Sequence, residues 1–198
     1  MAEVIVVPTG TANIASVLAA FRRLGARPRV SEDRAEVAGA THVMLPGVGA
    51  FGTSMARLVE LGLDAVLRER IAADRPTIAI CVGHQLLFAT SDESPGVRGL
   101  GAVAGHVGSF PGGVRVPQFG WNAVEAAEDC DLLEDGYAYF ANSYRATSAP
   151  GWKVATAGHG GPFIAAMERG NVVTCQFHPE LSGAYGAALL SRWLTLRC

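Results

Sequence analysis

Cys81 stands where two differently patterned segments meet. The run Thr77-Ile78-Ala79-Ile80 before it is short and apolar like a buried strand, and Val82-Gly83-His84-Gln85-Leu86-Leu87-Phe88 after it looks like the start of a helix. A thiol at such a strand-to-helix turn is held clear of the sheet, and the helix N-terminus brings free N–H groups and a positive dipole end that favour thiolate. The N–H of Val82, next after the sulfur, is positioned to donate to an oxyanion. The same position also describes an inert buried thiol, so nucleophilic chemistry requires a base. His178 is a candidate, because Val172 to Phe177 reads as a strand ending in His178-Pro179-Glu180. In an open α/β sheet, reactive groups gather beyond the carboxyl ends of the strands. Glu180, across a proline that restricts the turn, can accept from the imidazole and fix its tautomer. His84 is a rival base by proximity, although three residues into the helix it is expected to face the pocket rim or solvent.

The elements that must position these groups alternate in type. Val4 to Val7 is an apolar run closed by Pro8-Thr9-Gly10, and Asn13 can cap a helix with apolar positions Ile14, Val17, Leu18, Phe21 and Leu24, with Gly25 after its end. A second strand at His42 to Leu45 stops at Pro46-Gly47-Val48-Gly49, and Leu58 to Ala73 reads as one helix leading to the strand before Cys81. Strands alternating with helices predict an α/β fold: a mostly parallel central sheet with helices on both faces. Beyond about residue 100 the pieces shorten (Gly120 to Val124, Tyr137 to Tyr144, Val154 to Ala157), which predicts antiparallel additions, and a helix at about Ala184 to Leu196 closes the chain. With no repeat, linker or low-complexity tract, residues 1–198 are expected to form a single domain.

Composition removes several function classes. The net charge is -2, the basic residues are scattered, and no basic patch suited to nucleic acid exists. The apolar runs fall far short of the roughly 20 residues that span a bilayer, and the N-terminus has no leader pattern, so a cytoplasmic location without membrane contact is expected. Cys81, Cys130, Cys175 and Cys198 lack paired spacing and are expected to be free thiols. His42, His106 and His159 have no zinc-site spacing, and neither phosphate-loop pattern is present, so no metal and no cofactor is predicted.

The set Cys81-x-Gly83-x-Gln85 with Gln176-Phe177-His178-Pro179-Glu180 resembles the class I glutamine amidotransferases. Four further stretches resemble one branch of that family, the glutaminase subunits of imidazole glycerol phosphate synthases: Thr9-Gly10-x-x-Asn13-x-x-Ser16-Val17, Leu45 to Gly52, Val116-Pro117-x-x-Gly120-Trp121-Asn122 and Tyr139-Phe140-x-x-Ser143-Tyr144. The resemblance implies hydrolysis of L-glutamine to glutamate and ammonia through a thioester, with Cys81 as nucleophile, His178 as base and then acid, and Glu180 as its orienter. It further implies an oxyanion hole from the backbone N–H groups of Val48 and Val82, with a Gly47-Val48-Gly49 turn able to rotate. Gly49, Gln85 and Glu93 would line the glutamine pocket, Asp92 being a neighbour that could be mistaken for Glu93, and backbone groups of Ser143 and Tyr144 would hold the amino-acid end.

The implied partner is a separate (β/α)8-barrel cyclase of histidine biosynthesis, bound as a heterodimer, with no cyclase fused to a chain that stops at Cys198. Asn13, Gln118, Trp121 and Leu181 are expected on that interface, Trp121 being equally consistent with a core position. Ala79 stands where the family usually has Gly, Gln118 and Asn142 where it usually has His, and Leu181 where it commonly has Lys or Arg. These departures bear on the partner and on activation more than on the triad. A sister glutaminase serving another synthase, or a scaffold subunit without catalysis, would lack a reason for the Trp121 stretch or for the intact triad, respectively.

Overall fold

The computed structural model describes residues 2–10 and 14–197, and among them the elements follow the order β1 (Glu3–Val6), α1 (Ile14–Arg23), β2 (Arg27–Val30), α2 (Arg34–Gly39), β3 (His42–Leu45), α3 (Phe51–Glu60), α4 (Leu63–Ala72), β4 (Thr77–Ile80), α5 (Val82–Leu86), β5 (Phe88–Ser91), β6 (Val103–Ser109), β7 (Gln118–Ala126), β8 (Gly136–Asn142), β9 (Tyr144–Ala146), β10 (Lys153–Gly158), β11 (Pro162–Arg169), β12 (Val172–Cys175) and α6 (Gly183–Leu194). Nine of the strands form one sheet in the order β2-β1-β3-β4-β12-β11-β10-β7-β8. The first five run parallel and the other four antiparallel, so the expected parallel sheet is present with a four-stranded antiparallel extension. β5, β6 and β9 make a small second sheet.

Burial follows this plan. β3, β4 and β12 are buried at every position, as strands covered on both faces must be, and their sequences HVML, TIAI and VVTC are short continuous apolar runs rather than alternating ones. Two groups of helices flank the sheet. α1 and α6 meet through Phe21 and Trp193, whose rings lie 5.9 Å apart. α2 and α4 are tied by the buried guanidinium of Arg70, which donates to the carbonyls of Val37, Ala38, Ala40 and Pro76 and so satisfies the open end of α2.

Several expectations need correction. The helix expected over Leu58 to Ala73 is two helices, because Gly62 takes a left-handed conformation (φ 66°) and breaks the chain between α3 and α4, and α3 begins earlier, at Phe51. α2 was not anticipated, although Asp33 caps it by accepting from the Glu36 N–H, a pattern visible as Asp followed three residues later by Glu. The helix after Cys81 is only five residues long, since Leu87 is its cap and Phe88 opens β5. The Asn13 cap lies outside the described residues. No helix among the described residues is long and apolar enough to cross a membrane.

Candidate active site

Three neighbouring parallel strands, β3, β4 and β12, end at the same edge of the sheet, and each hands over one part of the site. After β4 comes Cys81, on its outer side along β3 the Pro46-Gly47-Val48-Gly49 turn, and on its inner side along β12 the His178-Pro179-Glu180 group. Cys81 has φ 55° and ψ -111°, a region that side-chain-bearing residues avoid at a cost of about 1–3 kcal/mol. The conformation is held from both sides: the Cys81 N–H donates to the Cys175 carbonyl at 2.7 Å, and the Cys81 carbonyl accepts from the Gln85 N–H at 3.1 Å. Backbone also packs directly on backbone at this corner. A Cβ on Gly83 would stand 2.3 Å from the Leu45 oxygen, and one on Gly47 would stand 2.2 Å from the Gly83 nitrogen, so both positions exclude any side chain.

His178 is buried and its Nδ1 lies 2.8 Å from Glu180 Oε1. Burial by itself lowers the imidazole pKa, but hydrogen bonds to the Cys81 sulfur and the Glu180 carboxylate more than offset it and hold the group up at about 10. The backbone around it is clamped, with the His178 N–H on the Tyr139 carbonyl at 2.9 Å and its carbonyl accepting from the Ser182 hydroxyl at 2.6 Å. The same hydroxyl accepts from the Tyr139 N–H, which ties β8 to the end of β12. His84, the rival base, faces neither the rim nor solvent. It is buried in the sheet side of α5, 2.6 Å from Thr174 Oγ1 and edge-on to Phe88, and burial lowers its pKa to about 3.

A cleft of about 170 Å³ opens over Cys81 and gathers every residue expected at the glutamine pocket: Gly49, Gln85, Glu93, Ser143 and Tyr144, with Val48, Val82 and His178. Gln85 Nε2 donates to the Tyr144 carbonyl at 3.3 Å and to Gln176 Oε1 at 2.9 Å. Glu93 accepts from the Phe51 N–H at 2.7 Å, at the start of α3, while Asp92 turns outward to His106 and the Ser109 N–H. The Val82 N–H is occupied: it donates to the Gly47 carbonyl at 3.3 Å. Because N–H and C=O of a trans peptide point in opposite directions, the Val48 N–H is aimed away from Val82 in this arrangement.

A second, more apolar cavity of about 230 Å³ lies on the other side of His178 and shares Val48, Ala141 and His178 with the cleft as a common wall. It opens toward an exposed aromatic face. Phe119 (71% exposed) and Trp121 (59%) project from β7 on either side of Tyr139, with ring centroids 6.0 and 6.2 Å from it, and Leu181 is 44% exposed beside them. Trp121 is therefore a surface residue and not a core one. Gln118, expected on that surface, is buried: alternation along β7 turns Phe119 and Trp121 outward and Gln118 to the opposite side, across from Asn142 on β8. Asn13, the remaining expected interface residue, lies outside the described residues.

Two site residues escaped the reading by motif. Gln176 was quoted but given no role; it is buried with its Nε2 3.8 Å from the Cys81 sulfur, and its spacing of two from His178 along an extended chain was the available signal. Ser182 clamps the His178 backbone and gave no signal beyond following the Pro-Glu turn. Among the described cysteines, Cys175 is also buried beside the site, where burial first and the Glu180 charge second push its pKa well up, leaving an inert thiol.

The family model for class I glutamine amidotransferases matches residues 6–195. The imidazole glycerol phosphate synthase subunit HisH of Symbiobacterium thermophilum is 41% identical over 203 residues, covering 100% of this chain and 96% of that protein. The protein of the same name from Deinococcus radiodurans is 42% identical, covering 96% and 92%. An Arabidopsis thaliana protein named imidazole glycerol phosphate synthase hisHF, chloroplastic, is 39% identical over 93% of this chain but only 33% of its own length. Among solved structures, a glutamine amidotransferase superposes with a TM-score of 0.76 over 96% of both chains at 20% identity, and PurLQS from Thermotoga maritima with 0.75 over 98% of both at 17%, which supports the fold. The chain belongs to the class I glutamine amidotransferases and, within them, to the family of imidazole glycerol phosphate synthase subunit HisH.

Proposed function

We propose that this chain is the glutaminase subunit of an imidazole glycerol phosphate synthase, releasing ammonia from L-glutamine for a (β/α)8-barrel cyclase partner in histidine biosynthesis. The observation that carries the reading is Cys81 at a strained strand-to-helix corner, lining one small cleft together with His178, whose imidazole Glu180 holds from behind. In this mechanism the Cys81 thiolate attacks the side-chain amide carbon of glutamine and the carbonyl electron pair moves onto oxygen. His178, protonated, passes its proton to the leaving nitrogen, ammonia departs, and the thioester remains. Neutral His178 then takes a proton from water as its oxygen attacks the thioester, and glutamate leaves as the thiolate is restored. Glu180 keeps the imidazole in the tautomer that presents the other nitrogen to sulfur.

The oxyanion formed in both halves needs donors, and the Val82 N–H with that of Val48 supplies them only after the Gly47-Val48 peptide turns over, since the Gly47 carbonyl now occupies the Val82 N–H. The chain alone is therefore expected to hydrolyse glutamine slowly, and partner docking to raise the rate. The exposed Phe119, Trp121 and Leu181 face supports a protein partner at this edge, and the Arabidopsis match, limited to a third of that protein, fits a glutaminase that works beside a second catalytic unit. The test is co-purification with the barrel subunit and an assay of glutamine-dependent and ammonia-dependent synthesis. Cys81→Ala should abolish the first and leave the second intact; unchanged glutamine turnover in the Cys81→Ala complex overturns the nucleophile assignment.

A further inference from the structure

Gln176 has no role in the chemistry just described, yet it sits at its centre. The residue is buried, its backbone N–H is fixed on the Ala165 carbonyl at 2.8 Å, and its carboxamide lies between the sulfur of Cys81 and the carboxamide of Gln85. The polarity of this chain of amides is determined by one group that cannot be reversed. The Tyr144 carbonyl can only accept, so the Gln85 atom facing it at 3.3 Å is the NH2 group. The second N–H of that group meets Gln176 at 2.9 Å, so the Gln176 atom there is oxygen. Its other end, the NH2 group, is then the end that faces Cys81 at 3.8 Å.

We infer that Gln176 is a positioning residue for the glutaminase reaction, its amide donating to the Cys81 sulfur in the thiolate form while its oxygen locks Gln85 with the carbonyl end turned to the substrate cleft. The inference rests on the assignment of Cys81 as nucleophile. Two consequences follow from donor and acceptor chemistry alone. A thiolate only accepts, so an N–H aimed at it stabilises the charged form relative to the thiol, as cationic and helix-end donors do at other reactive cysteines. Gln85, with its NH2 group committed to Tyr144 and Gln176, has only Oε1 left to offer the cleft, so it selects a ligand group that donates, such as a primary amide or an ammonium. The pairing of Gln85 and Gln176 across 91 residues of chain thus links activation of the nucleophile to recognition of an amino-acid amide through one neutral side chain.

The other titratable groups around the sulfur are His178 with Glu180 behind it, Cys175 on β12, and Glu93 and Tyr144 on the cleft wall, while His84 is turned to Thr174 on the sheet side of α5. None of these groups is replaced by a substitution at Gln176; Gln176→Glu exchanges the amide for a charge and Gln176→Met removes it without one, so the two pH profiles together separate loss of the N–H from added charge. The experiment uses the full chain and its complex with the cyclase. Cys81 alkylation by iodoacetamide is followed against pH by peptide mass, which separates it from the other thiols, and glutamine kinetics are measured in the complex. Gln176→Glu keeps the acceptor for Gln85, removes the N–H from sulfur and adds a negative charge, so the pH of half-maximal alkylation is expected to rise by about one unit or more and kcat to fall about tenfold, with KM changed less than about twofold. Gln176→Met removes both contacts and is expected to raise KM as well as the alkylation midpoint. A midpoint unmoved in folded Gln176→Met, which adds no charge, refutes the inference. Should that variant not fold by circular dichroism, an unmoved midpoint in Gln176→Glu refutes it. Glutamine turnover that survives Cys81→Ala would instead remove the underlying reading, whereas loss of turnover there with wild-type behaviour in both Gln176 variants removes this inference alone.

Discussion

His84 offers a perturbation whose size follows from its position. It lies three residues after Cys81, fully buried, with Nδ1 2.6 Å from Thr174 Oγ1 and burial lowering its pKa from 6.5 to about 3. Between those two values the unfolded chain binds one proton that the folded chain refuses, so this histidine's contribution to stability is complete above 6.5 and is lost as pH falls toward 3. At about pH 4.5, some two units below the unfolded value and at about 1.4 kcal/mol per unit, the loss is about 3 kcal/mol. His84→Gln keeps a partner for Thr174 and cannot be protonated. Urea unfolding of both proteins at pH 7 and pH 4.5 should therefore show the wild type losing about 3 kcal/mol more than the variant on acidification, because carboxylates protonate equally in both and cancel. In the complex with the cyclase, His84→Gln should retain glutamine turnover while His178→Gln loses it. Equal acid losses would refute the burial argument, and loss of turnover in His84→Gln alone would make His84 the base after all.

Two further outcomes are expected. Gly47→Ala places a methyl group 2.2 Å from the Gly83 nitrogen, so the turn must lift from α5, with a loss of about 1–3 kcal/mol in urea unfolding and of glutamine turnover, whereas Gly112→Ala, with open space around it, should cost less than about 0.5 kcal/mol; equal effects at the two positions would contradict the close packing. Trp121→Ala should weaken binding to the cyclase by about 2 kcal/mol or more in calorimetry and leave the stability of the isolated chain within about 0.5 kcal/mol, and an unchanged affinity would remove Trp121 from the interface.

The parallel half of the sheet was legible because β3, β4 and β12 are buried on both faces, and a four-residue apolar run closed by Pro-Gly, Cys or a His-Pro turn can hardly be anything else. The meeting of Cys81 with His178 and Glu180 was legible for the same reason, since the ends of adjacent parallel strands, here β4 and β12, must lie along one edge. The antiparallel half was less so. β11 (PFIAAMER) is buried at six consecutive positions with alanines at its centre, a pattern that carries no strand alternation, and β5 with β6 forms a separate sheet whose FATS and VAGHVGS sequences have no apolar face of their own. Gln118 was misplaced because a motif match gives the strand but not which way alternate residues point. Gln176 was passed over because a neutral amide announces itself only once its partners are known, and those partners, Cys81 and Gln85, belong to other elements.

The glycine pairing at the corner explains why one short turn can both build the site and restrain it in the proposed function. Gly47 and Gly83 let the turn after β3 rest directly on the start of α5, and that contact brings the Gly47 carbonyl onto the Val82 N–H. The hydrogen bond formed there is of the kind worth about 0.5–1.5 kcal/mol net, and at 3.3 Å it is a long one. Val48 is also reached from both sides: it lines the cleft over Cys81 and the apolar cavity that opens toward Phe119 and Leu181. In the proposed function, a partner covering that face would bear on the same residue whose peptide must turn for Val82 and Val48 to donate to an oxyanion.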